Sequence, residues 1–181
     1  LATFLNARGE DMKELFTIDL QDYNNLSEYY IRPSSRAIII KDQKVALVYS
    51  KKYDYYKFPG GGIKKGETNI EALIREVKEE TGLVVIANTI CEFGKVLRIQ
   101  KTDDDKIFYQ ENYYYLCNVL DNLTMQSLDD YEKEEEFVLV YVEPRIAINK
   151  NYQHQDTLFR KTMIDRDAKV LEILLEEKVV E

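Results

Sequence analysis

The chain has no tryptophan, one histidine, two cysteines and no apolar run approaching the length of a membrane span. Basic residues are also short: 25 Lys and Arg stand against 33 Asp and Glu, a formal charge of −8 at pH 7. So acidic a chain has no evident cationic face to displace counterions, which argues against wrapping a nucleic acid polymer. It does not oppose a small phosphorylated ligand held through a metal. Lacking an apolar stretch of about 20 residues, the chain has no candidate membrane helix. No signal-peptide pattern opens it, so a cytoplasmic setting is expected. Cys91 and Cys117 stand apart in apolar, strand-like runs and read as buried reduced thiols, with a disulfide left open. The lone His154 falls in a polar connection and receives no catalytic role. No internal repeat or low-complexity linker divides the 181 residues, which suit one domain large enough to bury a core. The first residue is Leu1 rather than Met, and Met12 is an alternative start.

What is present alternates between short apolar runs and turns. Residues 1–30 read as an extension, irregular over 1–11, with an edge-strand candidate at Lys13–Leu20 and a polar connection over Asp22–Pro33. Arg36–Lys41 and Lys44–Tyr49 flank a short turn in the form of a hairpin, and their near-continuous apolar character predicts a sheet covered on both faces. Ser50–Phe58 reads as a loop rich in rings. Further strands are expected at Val84–Ile90, Phe93–Ile99, Ile107–Val119 and Phe137–Val142, with an acidic loop over Asp121–Glu136. Pro144 opens a short helix through Ile148, and an amphipathic helix runs from Phe159 to the end. The tyrosine-rich strands and the extension suit a homodimer contact as well as they suit a core.

The densest chemistry lies in Gly61–Leu83, GGIKKGETNIEALIREVKEETGL. Thr68 and Glu71 fit a capping box, and Gly82 fits a left-handed stop. Ile70, Leu73, Ile74 and Val77 recur at i, i+3, i+4 and i+7, a buried helical stripe. At about 100° per residue, Glu80 falls about 20° from Leu73 and is therefore shielded from water. Glu76, Glu79 and Glu80 crowd one sector of this helix, where like charges repel. A divalent, oxygen-loving cation would reverse that repulsion. Arg75 stands four residues before Glu79 and can steady it.

The pattern Gly61, five residues, Glu67, seven residues, Arg75-Glu76-Val77, one residue, Glu79-Glu80, one residue, Gly82-Leu83 matches the Nudix box at every fixed position. The lead-in Tyr56-Lys57-Phe58-Pro59-Gly60-Gly61 is similar to that family's as well. The chain thus resembles a MutT-like Nudix hydrolase, most closely over residues 53–85. The resemblance implies an α/β fold, an α/β/α sandwich with a mixed sheet spanning residues 31–181. It also implies hydrolysis of a pyrophosphate bond in a nucleoside diphosphate linked to another moiety, X, assisted by Mg²⁺ or Mn²⁺.

Carried onto matching positions, the resemblance makes Glu76, Glu79 and Glu80 the metal ligands, with the Gly61 carbonyl a further one. Arg75 would orient the glutamates and Glu67 would hold that arginine. The general base would be a box carboxylate such as Glu76 or one from a separate loop, where Glu134–Glu136, and Glu135 in particular, are placed. One of the rings Tyr53, Tyr55, Tyr56 and Phe58 is expected to stack on a nucleoside base, with Tyr56 and Phe58 of the lead-in placed as substrate contacts beside Arg98, which would meet phosphate. Arg98 and Lys101 stand where some ADP-ribose-directed relatives place a proline, which points away from ADP-ribose. Nucleoside triphosphates, nucleotide sugars and dinucleoside polyphosphates remain open. Members of this scaffold that only sense nucleotides or bind proteins commonly lose box glutamates, and this chain retains them all.

Overall fold

The computed structural model describes residues 12–181, so the reading of 1–11 lies outside it. In chain order the elements are β1 (Glu14–Asp19), β2 (Tyr29–Ile31), β3 (Ser34–Ile38), β4 (Ile40–Lys41), β5 (Lys44–Ser50), β6 (Tyr55–Lys57) and β7 (Gly60–Gly62). There follow α1 (Asn69–Thr81), β8 (Cys91–Lys101), β9 (Ile107–Leu116), α2 (Asp130–Glu134), β10 (Phe137–Val142), α3 (Pro144–Gln153) and α4 (Leu158–Glu176).

The larger sheet runs β1-β8-β9-β3-β7, with β2 beside β9. It is mixed: β1 lies parallel to β8, and β2 and β3 parallel to β9, while the β8–β9 and β3–β7 pairs are antiparallel. A smaller antiparallel sheet is ordered β10-β5-β4, with β6 also on β5. The run Arg36–Lys41 is divided: Ile40-Lys41 forms the expected hairpin with Lys44-Val45, while its first half, within β3, belongs to the larger sheet, so the chain changes sheets inside the run. Ala37 and Ile38 are bonded toward Pro59 and Cys117, whereas the Ile39 carbonyl accepts from Ala46 in the smaller sheet. An apolar run shows where backbone is buried and not which sheet claims it.

Other expected boundaries also move. The ring-rich loop contains β6, the polar connection contains β2 and the acidic loop contains α2. Val84–Ile90 is not a strand: it gives an isolated bridge, Val85 to Val119, and a 3₁₀ turn at Ala87–Thr89. Cys117 is buried, but Cys91 opens β8 in an exposed position; both are free thiols.

Alternation along the strands gives the large sheet two unlike faces. Ala37, Ile39, Tyr113 and Tyr115 pack against Leu73 and Val77 of α1. The opposite face presents Ser34, Arg36, Arg98, Gln100, Gln110 and Asn112, all buried. Helix α4 lies over that polar face, with Arg166 donating to Asn112 Oδ1 at 2.6 Å and Tyr114 donating to Asp167 at 2.7 Å. β5 is buried on both sides, Val45 and Leu47 in one core cluster and Ala46 in the other. The result is an α/β sandwich of helices around a mixed sheet. Among the described residues, no helix is long and apolar enough to cross a membrane.

Candidate active site

Helix α1 begins and ends as its sequence dictates. Thr68 Oγ1 accepts from the Glu71 backbone N–H at 3.2 Å, and the Glu71 carboxylate accepts from the Thr68 N–H at 2.8 Å. Gly82 closes the helix with φ +76°, and its N–H donates to the Lys78 carbonyl. These ends and the buried Leu73–Val77 stripe fix the helix rotation, which carries Glu80 fully inside, at 0% exposure. Glu80 Oε1 accepts from Lys57 Nζ at 2.5 Å and Oε2 from the Gly60 N–H at 2.9 Å. Burial, reinforced by the nearby Glu132 charge, pushes the Glu80 carboxyl up to about 7 despite the opposing pull of Lys57.

Arg75 orders the outer carboxylates. Its Nε and NH2 hold Glu67 at 2.7 and 2.8 Å, its NH1 reaches Glu76 at 2.5 Å and Glu79 at 3.0 Å, and NH2 also donates to the Gly62 carbonyl at 3.1 Å. Glu67 sits below the ordinary carboxylate range because of that arginine. The guanidinium ties the glycine turn to the helix. A Cβ at Gly61 would lie 2.3 Å from a Glu76 carboxylate oxygen, so a side chain there would displace that carboxylate.

Carboxylates converge, but not in the set expected from the helix alone. Ligand atoms of Glu76, Glu80 and Glu132 lie within 4.8 Å of one another. Glu132 comes from α2 and is 2% exposed. It is held by neutral donors: the Asp129 N–H at 2.8 Å and the Tyr131 hydroxyl at 3.0 Å. Glu79 stays outside this group, on the Arg75 side, with its side chain 37% exposed. Three mostly buried carboxylates, with Lys57 on Glu80 and Arg75 on Glu76, make an all-oxygen, electron-rich donor set, which suits a hard divalent cation such as Mg²⁺ or Mn²⁺.

A cleft of about 460 Å³ opens beside Gly60–Gly62. Ser34, Arg36, Arg98, Phe108 and Gln110 line its sheet side, while Tyr55, Lys57, Tyr131, Glu135, Phe159 and Arg160 line the other walls. Tyr56 and Phe58 do not line it. Because β6 alternates, Tyr55 and Lys57 face the cleft, Tyr56 stacks on Tyr49 at 4.9 Å, and Phe58 is fully buried edge-on to Tyr114 at 5.5 Å. Phe58 is a core residue and not a surface for a base. Glu135 is likewise not among the clustered carboxylates: it accepts from the Tyr55 hydroxyl at 2.7 Å and lies 3.7 Å from Arg160. Arg98 does line the cleft, clasped between Phe108 and Phe159.

A family model described as the NUDIX domain matches residues 31–161, well over half of the chain. The chain belongs to the Nudix family. An ADP-ribose pyrophosphatase of Methanocaldococcus jannaschii is 39% identical over 71 residues, 36% of this chain and 40% of that protein. An uncharacterized Nudix hydrolase of Bacillus subtilis is 32% identical over 57 residues, 32% of this chain and 36% of that one. The chain thus spans less than half the length of the relatives it matches. Among solved structures, a NUDIX hydrolase from Nitrosomonas europaea superposes with a TM-score of 0.53 at 19% identity, covering 77% of this chain and 90% of that one. A MutT NUDIX hydrolase from Burkholderia pseudomallei gives 0.51 at 17%, over 76% and 98%. At such identities the superpositions speak to the Nudix fold alone.

Beside the Nudix box, the residues given no role in the sequence reading are Glu132, Arg36 and Arg160, and of the four candidate rings it is Tyr55 that lines the cleft. What separates Tyr55 from Tyr56 is the period of two in β6, a strand of only three residues. Glu132 stands three residues after Asp129, an N-cap spacing that marks a helix start inside the acidic run.

Proposed function

We propose that this Nudix chain hydrolyses the pyrophosphate bond of a nucleoside diphosphate linked to a further moiety, using Mg²⁺ or Mn²⁺. The observation that carries this reading is the meeting of Glu76 and Glu80 from α1 with Glu132 from α2, beside the Gly60–Gly62 turn and the cleft. Those three carboxylates would hold the cation. When bound, it neutralises diphosphate oxygens and acidifies the attacking water.

The chain's own residues divide the remaining work. Gly61 and Gly62 lie at the mouth of the cleft without side chains, so phosphate oxygens can approach their backbone. Arg75 fixes Glu76 and Glu79, and Glu67 fixes Arg75. Glu76 already faces a guanidinium at 2.5 Å, whereas Glu132 is held by two neutral donors. Glu132 thus brings a carboxylate from outside the Nudix-box helix, in the loop position that Glu135 was expected to fill. Water adds to phosphorus, the bridging P–O bond breaks, and the water proton passes to a carboxylate of the site. The products are a nucleoside monophosphate and phosphorylated X, or pyrophosphate when the substrate is a triphosphate.

ADP-ribose enters the substrate panel through the Methanocaldococcus relative's name, beside nucleoside triphosphates, nucleotide sugars and dinucleoside polyphosphates. The test is phosphate-bond hydrolysis of that panel with Mg²⁺, with Mn²⁺ and with EDTA. Turnover that requires the metal and is lost in Glu80→Gln supports the proposal. Ligand binding with no product from any member would instead favour a silent, nucleotide-sensing module.

A further inference from the structure

Hydrolysis at the mouth of the cleft does not account for the charges buried at its floor. Arg36, Arg98 and Arg166 are 6%, 2% and 0% exposed, and the buried carboxylate among them is Asp167. Asp167 is fully engaged, accepting from Arg166 Nε at 2.9 Å, the Tyr114 hydroxyl at 2.7 Å and the Phe58 N–H at 3.0 Å. Among the described residues, Arg36 and Arg98 form no ion pair. Arg98 donates to Thr162 Oγ1 at 2.9 Å and to the Phe159 carbonyl, between rings 5.0 and 4.6 Å away. Arg36 spends NH1 on the carbonyls of Phe58 and Gly60, leaving a buried Nε without an acceptor; Arg166 NH2 is also left without one.

Three buried guanidiniums against one carboxylate leave a surplus of two positive charges, in a chain whose formal charge is −8. Burying unpaired charge is costly unless something completes it. Burial, and then the like charges of Arg166 and Arg36, bring the Arg98 guanidinium down to about 9. Glu135 also faces the cleft, but it is already taken by Tyr55 and Arg160. Two of the three arginines, Arg36 and Arg98, line the cleft with Ser34 and Gln110. From the glycine strand β7 across β3 and β9 to β8 is three strand spacings, about 14 Å. An anion at Arg98 would therefore be separated from the diphosphate by roughly a sugar or nucleoside.

We infer that the substrate carries a second anionic group, remote from the pyrophosphate that is cut and received at the Arg98 end of the cleft. The class is a nucleoside diphosphate derivative with a phosphate monoester or a carboxylate on its sugar or on X. This rests on the hydrolase reading for what the site does, yet the anion preference is measurable without turnover. A bidentate guanidinium edge matches either group, and charge-assisted hydrogen bonds are the stronger ones.

The test is equilibrium binding in EDTA of pairs that differ by the remote charge: NADPH against NADH for the phosphate monoester, and UDP-glucuronate against UDP-glucose for the carboxylate. The anionic member of one pair should bind about tenfold or more tighter, and the pair that separates tells which source the site takes. Arg98→Met should abolish that preference. Equal affinities within both pairs would overturn the inference, as would a preference that survives in a folded Arg98→Met. Should that variant not fold, the wild-type comparison alone decides. Metal-dependent hydrolysis with no preference would sink this inference and spare the proposed function; a preference without hydrolysis of any panel member would do the reverse.

Discussion

Glu132 and Glu135 are three residues apart and nearly equally buried, at 2% and 9% exposure, yet they keep different company. One meets Glu76 and Glu80; the other is bonded to Tyr55. If Glu132 helps hold the cation, Glu132→Gln lowers kcat/KM about tenfold or more at limiting Mg²⁺. Glu135→Gln should stay within about tenfold of wild type, its effect being on positioning. Steady-state kinetics on the best substrate of the panel makes the comparison. The burial of Glu80 was legible from helix geometry, since its angle to Leu73 needs only the sequence. The contribution of Glu132 was not, because it depends on where a distant loop lands on α1. No spacing in the chain encodes that meeting.

At the scale of elements, α1 is specified locally almost throughout: a capping box at Thr68 and Glu71, a buried stripe and a left-handed glycine stop. Thr68→Ala should cost about 1 kcal/mol of stability, the usual worth of an N-cap. Gly82→Ala should cost more than about 1 kcal/mol, because its φ of +76° disfavours a side chain and a Cβ would meet the Thr124 carbonyl oxygen at 2.2 Å. Urea denaturation of the three proteins checks both. Strands were less legible. β6 is only three residues long, so its alternation was lost among neighbouring rings, and Phe58 was read as a ligand contact when it is core. Where two sheets share one apolar run, at Ile38–Ile40, hydrophobicity alone cannot divide it.

For the molecule as a whole, α4 meets the sheet through Val170, Leu171 and Leu174 and also through the buried charges of Arg166 and Asp167. Burial pushes the Asp167 carboxyl up, but the Arg166 and Arg36 charges outweigh it, together with the Arg166 and Tyr114 hydrogen bonds, and hold the group below the ordinary carboxylate value. Its contribution is thus complete above the unfolded value of about 3.9 and is lost as pH falls through the lower folded value. Melting curves should fall steeply below about pH 4, and Asp167→Asn should flatten that segment. At pH 7 the variant should lose about 3–5 kcal/mol, the loss seen when one partner of a buried pair is removed. The sandwich and the Nudix box could be read from the chain; this polar interface could not, since Arg36, Arg98, Gln110 and Arg166 meet only once three strands and a helix are assembled. The central claim is that carboxylates from two elements form one cation site, and Mn²⁺ binding by calorimetry tests it most directly. Glu80→Gln and Glu132→Gln should each weaken Mn²⁺ by about tenfold or more, since each removes one of the few charged oxygen ligands such an ion takes. Wild-type affinity in Glu132→Gln, or no Mn²⁺ binding to the wild-type chain, would contradict the account.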